Sequence, residues 1–313
     1  MEKGAKIFVA GHQGMIGAAL VRRLREDGHT NLLLRTSSEL NLLDQKAVSY
    51  FFSAHKPEYV FLATGKVGGI LANSTYPAEF IYINLQIQNN VIHCAFESGV
   101  KKLLFLGSPC MYPKFCQQPM KEEYLLTGPI EPTNEPYAIA KIAGVKMCQS
   151  YNRQYGTNFM PVIPADVYGT NDDFSDGGHV VPSLIRKFHG AMTNGSNSIT
   201  LWGTGKPRRE FLYADDLSEA LIFLMHVYDG SEVINVGTGY DTSVAELARS
   251  IKKMVGFDGK IIYDKTKPDG MPRRLLDVSR ITSLGWKPKT GLVEGLELTY
   301  AWYKQCKMSN KDS

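Results

Sequence analysis

The chain predicts an α/β protein, a Rossmann-like doubly wound parallel sheet with a smaller α/β substrate-binding region. Three observations carry this expectation. Short, fully apolar runs such as Ile7-Phe8-Val9-Ala10 recur along the chain, as strands buried on both faces do. Segments with helical periodicity alternate with them through residue 167. The first run leads straight into Gly11-His12-Gln13-Gly14-Met15-Ile16-Gly17. A strand, G-x-x-G-x-x-G and a helix make a dinucleotide site, because the glycines let the backbone turn tightly and approach a pyrophosphate at a helix N-terminus.

Composition narrows the function classes. At 313 residues the chain can bury one large core or two smaller ones. A 43% apolar and 21% charged composition is that of an ordinary soluble globular protein. A net charge of +4 is too mild to argue for nucleic acid, but it suits an anionic small ligand. No apolar run reaches the roughly 20 residues of a membrane span. Met1-Glu2-Lys3 runs directly into an apolar strand, so no signal peptide is expected. The five cysteines are odd in number and lack C-x-x-C spacing, which argues against structural zinc and a disulfide framework and for a reducing cytoplasm.

In chain order, the helix after the glycines points Leu20, Val21 and Leu24 inward, and Leu32-Leu33-Leu34 is the second strand. An acidic residue at that strand's end would bind a ribose 2′-hydroxyl, whereas a basic one accommodates a 2′-phosphate. Arg35 stands there, which leans toward NADP. A helix over residues 45–55, a strand over 59–63 and a glycine-containing loop over 66–70 follow, then a long helix over 81–98. The strand 102–106 delivers Ser108 and Cys110 to the ligand-binding edge. A serine hydroxyl there can hydrogen-bond a substrate carbonyl, and a cysteine two residues on can act as a base in its thiolate form.

The loop 131–136 opens the helix that holds Tyr137-Ala138-Ile139-Ala140-Lys141. Tyr137 and Lys141, four apart, share a helix face. The ammonium is expected to lower the phenol pKa and so make a proton donor for a ketone receiving hydride. The strand 159–163 opens into Pro164-Ala165-Asp166-Val167, a polar loop spans 171–178, and His179 begins an apolar helix. Thr200 to Gly205 and Arg208 to Phe211 read as a strand-turn-strand in which Trp202 and the arginines suit a nucleotide base and its phosphates. Asp215-Asp216 reads as the cap of a helix over 217–225, and the strand 233–237 as one that rejoins the first sheet. Ser243 with Glu246 reads as a capping box, Pro268-Asp269-Gly270 as a turn, and residues 292–304 as the last helix. The expected division is a nucleotide-binding domain over 1–167 plus about 213–237, a nucleotide-sugar region over 168–212 and 238–305, and a frayed tail over 306–313.

These residues together resemble the extended short-chain dehydrogenase/reductase superfamily, and within it the epimerase-reductases of GDP-4-keto-6-deoxy sugars. The marks are Gly11 to Gly17, Lys66 to Gly69, Tyr76-Pro77-Ala78, Phe105 to Tyr112, Glu131 to Gly144, residues 150–156, Arg209 to Leu212 and Lys267 to Gly270, so the resemblance covers nearly the whole chain. It implies reduction by Ser108, Tyr137 and Lys141, and epimerisation at C3 and C5 by Cys110 and His179. It implies NADPH bound through Gly11, His12, Gln13, Gly14, Met15, Ile16, Gly17, Arg35, Ala63, Lys141, Pro164, Ala165, Asp166, Val167 and His179. It implies a GDP-sugar held by Lys187, Trp202, Arg209, Asp269 and Arg274. No metal, nucleic acid or membrane is implied, and a cytoplasmic homodimer is. The chain departs from the family pattern at Gln13 and Ser37, where arginines commonly hold the 2′-phosphate, at Pro109, at Asp166-Val167 in place of Asn-Leu, and at Lys187 in place of arginine. Two other readings stand beside the epimerase-reductase. One is a reductase of a different GDP-4-keto sugar, such as a 6-deoxyheptose or a dideoxy sugar. The other is a non-catalytic nucleotide-binding protein, which would not need Ser108, Tyr137 and Lys141.

Overall fold

The computed structural model describes residues 1–175, 178–267 and 269–309. Two residues of the expected polar loop (176–177), Pro268 of the expected turn and the end of the expected tail (310–313) lie outside the described residues. The chain begins β1 (Ile7–Ala10), α1 (Met15–Glu26), β2 (Leu32–Leu33), α2 (Gln45–His55), β3 (Tyr59–Leu62), α3 (Ile70–Thr75), α4 (Pro77–Glu97) and β4 (Lys102–Leu106). It continues α5 (Glu135–Tyr155), β5 (Phe159–Pro164), β6 (Asp166–Tyr168), α6 (Val180–Thr193), β7 (Ser198–Trp202), β8 (Arg208–Arg209) and β9 (Phe211–Tyr213). It closes α7 (Ala214–Val227), β10 (Ile234–Val236), β11 (Thr242–Ser243), α8 (Val244–Val255), β12 (Lys260–Asp264), β13 (Arg273–Arg274), α9 (Ser279–Ser283) and α10 (Leu292–Ser309).

The expected parallel sheet is there, in the order β10-β5-β4-β3-β1-β2 with every pair parallel. The chain leaves β1 for β2 on one side and then returns to β3 on the other. Such a reversal opens a crevice at the C-terminal ends of the strands, where doubly wound folds bind ligands. The apolar strands are buried for the reason the sequence suggested: β1, β4 and β5 lie between two layers of helices and expose almost nothing. Phe8, Phe61, Phe105 and Phe159 fill the larger core.

A second cluster gathers Tyr168, Leu184, Phe188, Phe211, Leu247, Ile251 and Tyr300 from α6, α8, α10 and the short strands. Leu276, Ile281 and Trp286, although late in the chain, pack in the larger core. The capping box forms at the start of α8, with Ser243 and Glu246 satisfying each other's backbone N–H groups.

Three local expectations are overturned. Residues 200–211 are not a strand-turn-strand: β7 pairs in parallel with β12, while β8 lies between β11 and β13. Gly203 and Gly205 do turn the chain with positive φ, but Asp269 accepts from Thr204 N and Oγ1 and holds the turn away from a hairpin. Asp215 and Asp216 do not cap α7, which starts at Ala214 without a side-chain cap. Asp215 pairs with Arg22, and buried Asp216 accepts from the backbone of Lys289 and Thr290 ahead of α10. The last helix continues past residue 304 to Ser309, through the first residues of the expected tail.

Candidate active site

The glycine turn comes first along the chain. Gly11 has φ +87°, and a Cβ there would lie 2.7 Å from the Ala63 carbonyl oxygen. A Cβ on Gly17 would lie 2.0 Å from Gly11 O, so the turn and α1 pack more closely than any side chain permits. The N-terminus of α1 carries neither a side-chain cap nor an acidic residue in its first turn, which leaves its N–H groups and dipole for an anion. The buried His12 Nδ1 has no hydrogen-bond partner. Arg35 sits at the end of β2 with Nη1 donating to Leu34 O and its guanidinium 5.8 Å from the Phe51 ring centroid. These features fit a dinucleotide carrying a 2′-phosphate.

Next along the sheet, β4 ends at Gly107-Ser108, and Ser108 Oγ accepts from Cys110 N at 3.3 Å in a tight 3-10 turn over Pro109–Met111. Helix α5 is brought onto β4 by Gly144, where a Cβ would lie 2.3 Å from the Phe105 ring. That close approach lets buried Lys141 donate from Nζ to Leu106 O at 2.9 Å. It also places Tyr137, one turn earlier on the same face, beside Ser108.

The electrostatics correct one expectation. Lys141 does not lower the Tyr137 pKa. Burial pushes the phenol up, the nearby Cys110 adds to this, and a hydrogen bond with Ser108 and the charge of Arg274 only partly oppose it. Burial is the largest cause, and Lys141, with Nζ 5.9 Å from the Tyr137 ring centroid, is itself pulled down to about 8 by burial. Tyr137 is therefore a neutral phenol, the form that donates a proton.

On the other side of the crevice the short strands converge. Parallel pairing sets Arg274 opposite Arg209, and β6 pairs with β9. Arg274 donates from Nη1 to Cys110 Sγ at 3.2 Å and from Nη2 to both Asp166 carboxylate oxygens at 2.9–3.0 Å. Asn134 Nδ2 donates to the same sulfur at 3.0 Å. Half-buried Arg209 lies within electrostatic reach of Arg274, Asp166, Cys110 and Asp269, and is pulled down to about 10 by burial and then by Arg274.

The structure thus brings together Ser108, Cys110, Tyr137, Lys141, Asp166, Arg209 and Arg274. Ala63, Pro164, Ala165 and Val167 stand at the same strand ends. His179 is exposed at the N-cap of α6, and Lys187 lines a cavity of about 520 Å³ with Gly190, Ser198 and Thr200. Trp202 exposes its indole on β7, with Lys267 Nζ 5.5 Å from the ring centroid. Among the described residues, none of these three hydrogen-bonds the Ser108 group, and Asp269 reaches it only through its charge on Arg209.

Two residues were missed from sequence. Asn134 was read as loop, although it immediately precedes the Tyr137 helix. Glu210 is buried beside the arginines and accepts from Gly239 N and Leu276 N. Its placement between Arg209 and a strand was the available signal.

Comparison with known proteins extends the picture. The family model described as the NAD dependent epimerase/dehydratase family matches residues 7–237. The chain is 57% identical to "Putative GDP-L-fucose synthase 2" of Arabidopsis thaliana, over 97% of this chain and 93% of that protein. It is 50% identical to the GDP-L-fucose synthase of Escherichia coli strain K12, over 95% of this chain and 96% of that one. Among solved structures, a GDP-mannoheptose C4 reductase from Campylobacter jejuni with NADP bound superposes with a TM-score of 0.90 at 44% identity, covering 97% of this chain and 99% of that one. The family match takes in the glycine turn, the Ser108 and Tyr137 segments and Arg209, and the relatives continue through Arg274, so the chain belongs to the NAD dependent epimerase/dehydratase family.

Proposed function

We propose that the chain converts GDP-4-keto-6-deoxy-D-mannose to GDP-L-fucose by inverting C3 and C5 and reducing the C4 ketone. The observation that carries this reading is the meeting of Ser108, Tyr137 and Cys110 at one crevice, where a neutral phenol and a sulfur held by two N–H donors stand within reach of a single carbonyl. The sequence identity to GDP-L-fucose synthases over nearly the full chain names the sugar.

The chemistry follows from the ketone. C–H bonds at C3 and C5 are acidic because both carbons are α to C4, so one site serves both inversions. Cys110 takes the proton from carbon as its thiolate, and the electron pair moves into the C4 oxygen. Ser108 and Tyr137 donate to that oxygen as its charge grows. A group returning a proton to the opposite face has to stand off from Cys110, and His179 at the N-cap of α6 is our candidate. Tyr137 then protonates O4 in the reduction. The α1 N-terminus, the turn Gly11 to Gly17, Arg35 and Lys141 would hold NADPH, which when bound would supply the hydride for C4. Lys187, Arg209 and Arg274 are cations for the GDP phosphates and sugar, Trp202 offers a face for the base, and Asp269 holds the Thr204 turn beneath it.

A second reading is favoured by the structural likeness to a C4 reductase acting on a GDP-heptose: a reductase of another GDP-4-keto sugar that leaves C3 or C5 alone. One experiment separates the two. The enzyme is run on GDP-4-keto-6-deoxymannose with NADPH in heavy water and the product identified by NMR. GDP-L-fucose carrying deuterium at C3 and C5 is expected; a reduced sugar without deuterium at either carbon would contradict the epimerase. We also propose a homodimer working in the cytoplasm, on the family resemblance. Light scattering after size exclusion should give twice the monomer mass, and a monomer would contradict it. No helix among the described residues is long and apolar enough to cross a membrane.

A further inference from the structure

Resting on that reading, we propose that Asp166 is the positioning residue of the epimerisation base, fixing Arg274 so that its guanidinium stays on the Cys110 sulfur.

The argument begins at the sulfur. Among the described residues, both polar groups in contact with Cys110 Sγ are donors, Asn134 Nδ2 at 3.0 Å and Arg274 Nη1 at 3.2 Å. A neutral thiol has its own proton to place, whereas a thiolate accepts from both. Among the described residues, the titratable groups that act on the sulfur are Tyr137 on α5, Arg274 on β13 and Arg209 on β8, and Asp166 on β6 meets it through Arg274.

Arg274 does not hold this place unaided. Its Nε is buried without a partner, and Arg209, a like charge, lies close enough to repel it. Its anchor is the Asp166 carboxylate, both oxygens of which accept from Nη2. Charge-assisted bonds of this kind are roughly twice as strong as neutral ones, and they fix the plane of the guanidinium. The carboxylate is thus used on Arg274.

Removing the Asp166 charge has two opposite consequences, which makes the inference testable. If Asp166 acts on Cys110 only as a nearby negative charge, its loss favours the thiolate. If it positions Arg274, its loss releases the guanidinium and disfavours the thiolate. The measurement is the pH dependence of iodoacetamide alkylation at Cys110, read on its own peptide by mass spectrometry. Asp166→Ala removes both acceptors of Arg274 and should move the half-maximal pH upward by about one unit, a roughly tenfold loss of thiolate on the acid side. Deuterium entry at C3 and C5 should slow about tenfold with it. Arg274→Lys keeps the charge but not the two-armed bridge, and should shift the profile the same way. A profile that stays in place or moves to lower pH in whichever of these variants fold would overturn the inference. If the unaltered enzyme exchanges no deuterium, the epimerase reading fails, and the alkylation profiles still decide the role of Asp166.

Discussion

We propose that Tyr137 and Lys141 divide the work of reduction between a proton and a charge. Burial keeps the phenol protonated and pulls the ammonium down to about 8. Tyr137→Phe keeps the ring and removes only the donor. We expect the GDP-sugar dissociation constant, measured by calorimetry, to change little, while hydride transfer followed by NADPH absorbance falls about 10²–10⁴-fold. Near-full turnover in that variant would contradict the assignment. We propose that Lys141 sets the pH dependence of the reduction. The folded-state value lies below the ordinary lysine range, so the cation is complete well below pH 8 and is lost as pH rises through it. Single-turnover hydride transfer should be level on the acid side of pH 8 and fall about tenfold per unit above it, and the residual rate of Lys141→Met should lack that limb. We propose that Arg35 alone meets the 2′-phosphate at the end of β2, since Gln13 and Ser37 stand where the resemblance places arginines. NADPH should bind more tightly than NADH by calorimetry, and Arg35→Ser should remove most of the difference; tighter binding of NADH to the unaltered protein would show the pocket misread.

At the scale of elements, the parallel-sheet half was legible because its signals are local. A parallel strand covered on both faces is a continuous apolar run, and α2 and the capping box of α8 follow from caps and periodicity in their own residues. The short strands beyond the sheet follow no such rule. Two-residue strands have no periodicity, and Arg208-Arg209 finds its partners in two distant stretches, Thr242-Ser243 and Arg273-Arg274. Gly203-Thr204-Gly205 therefore looked like the turn of a hairpin whose arms pair elsewhere. Tertiary burial also reversed the Tyr137 shift, which no helix-face argument could weigh. Glu210 joins these fragments to the sheet by accepting from Gly239 N after β10 and Leu276 N after β13. Burial pushes it up to about 7. Glu210→Ala leaves the buried Leu276 N–H and the part-buried Gly239 N–H unpaired. Thermal or urea unfolding should show a loss of about 2–4 kcal/mol, and an unchanged midpoint would contradict this role.

For the whole molecule, we propose that the parallel sheet, residues 1–167 with about 213–237, holds the nucleotide cofactor, and that 168–212 with 238–305 holds the GDP-sugar. The late segment Leu276 to Trp286 ties the second into the core of the first. In this arrangement the sheet contributes Ser108, Cys110, Tyr137 and Lys141, and the sugar side contributes Arg209 and Arg274, so the sulfur is completed only where the two meet. The central claim is that one crevice holds two separable chemistries, deprotonation of carbon by Cys110 and protonation of oxygen by Tyr137. The most direct measurement is the product of Cys110→Ser with GDP-4-keto-6-deoxymannose and NADPH in heavy water, resolved by NMR. Serine keeps the shape but does not ionise near neutral pH, so the ketone should still be reduced, giving mainly the unepimerised 6-deoxy sugar with no deuterium at C3 or C5. Fully inverted product, labelled at both carbons at the unaltered enzyme's rate, would contradict the account.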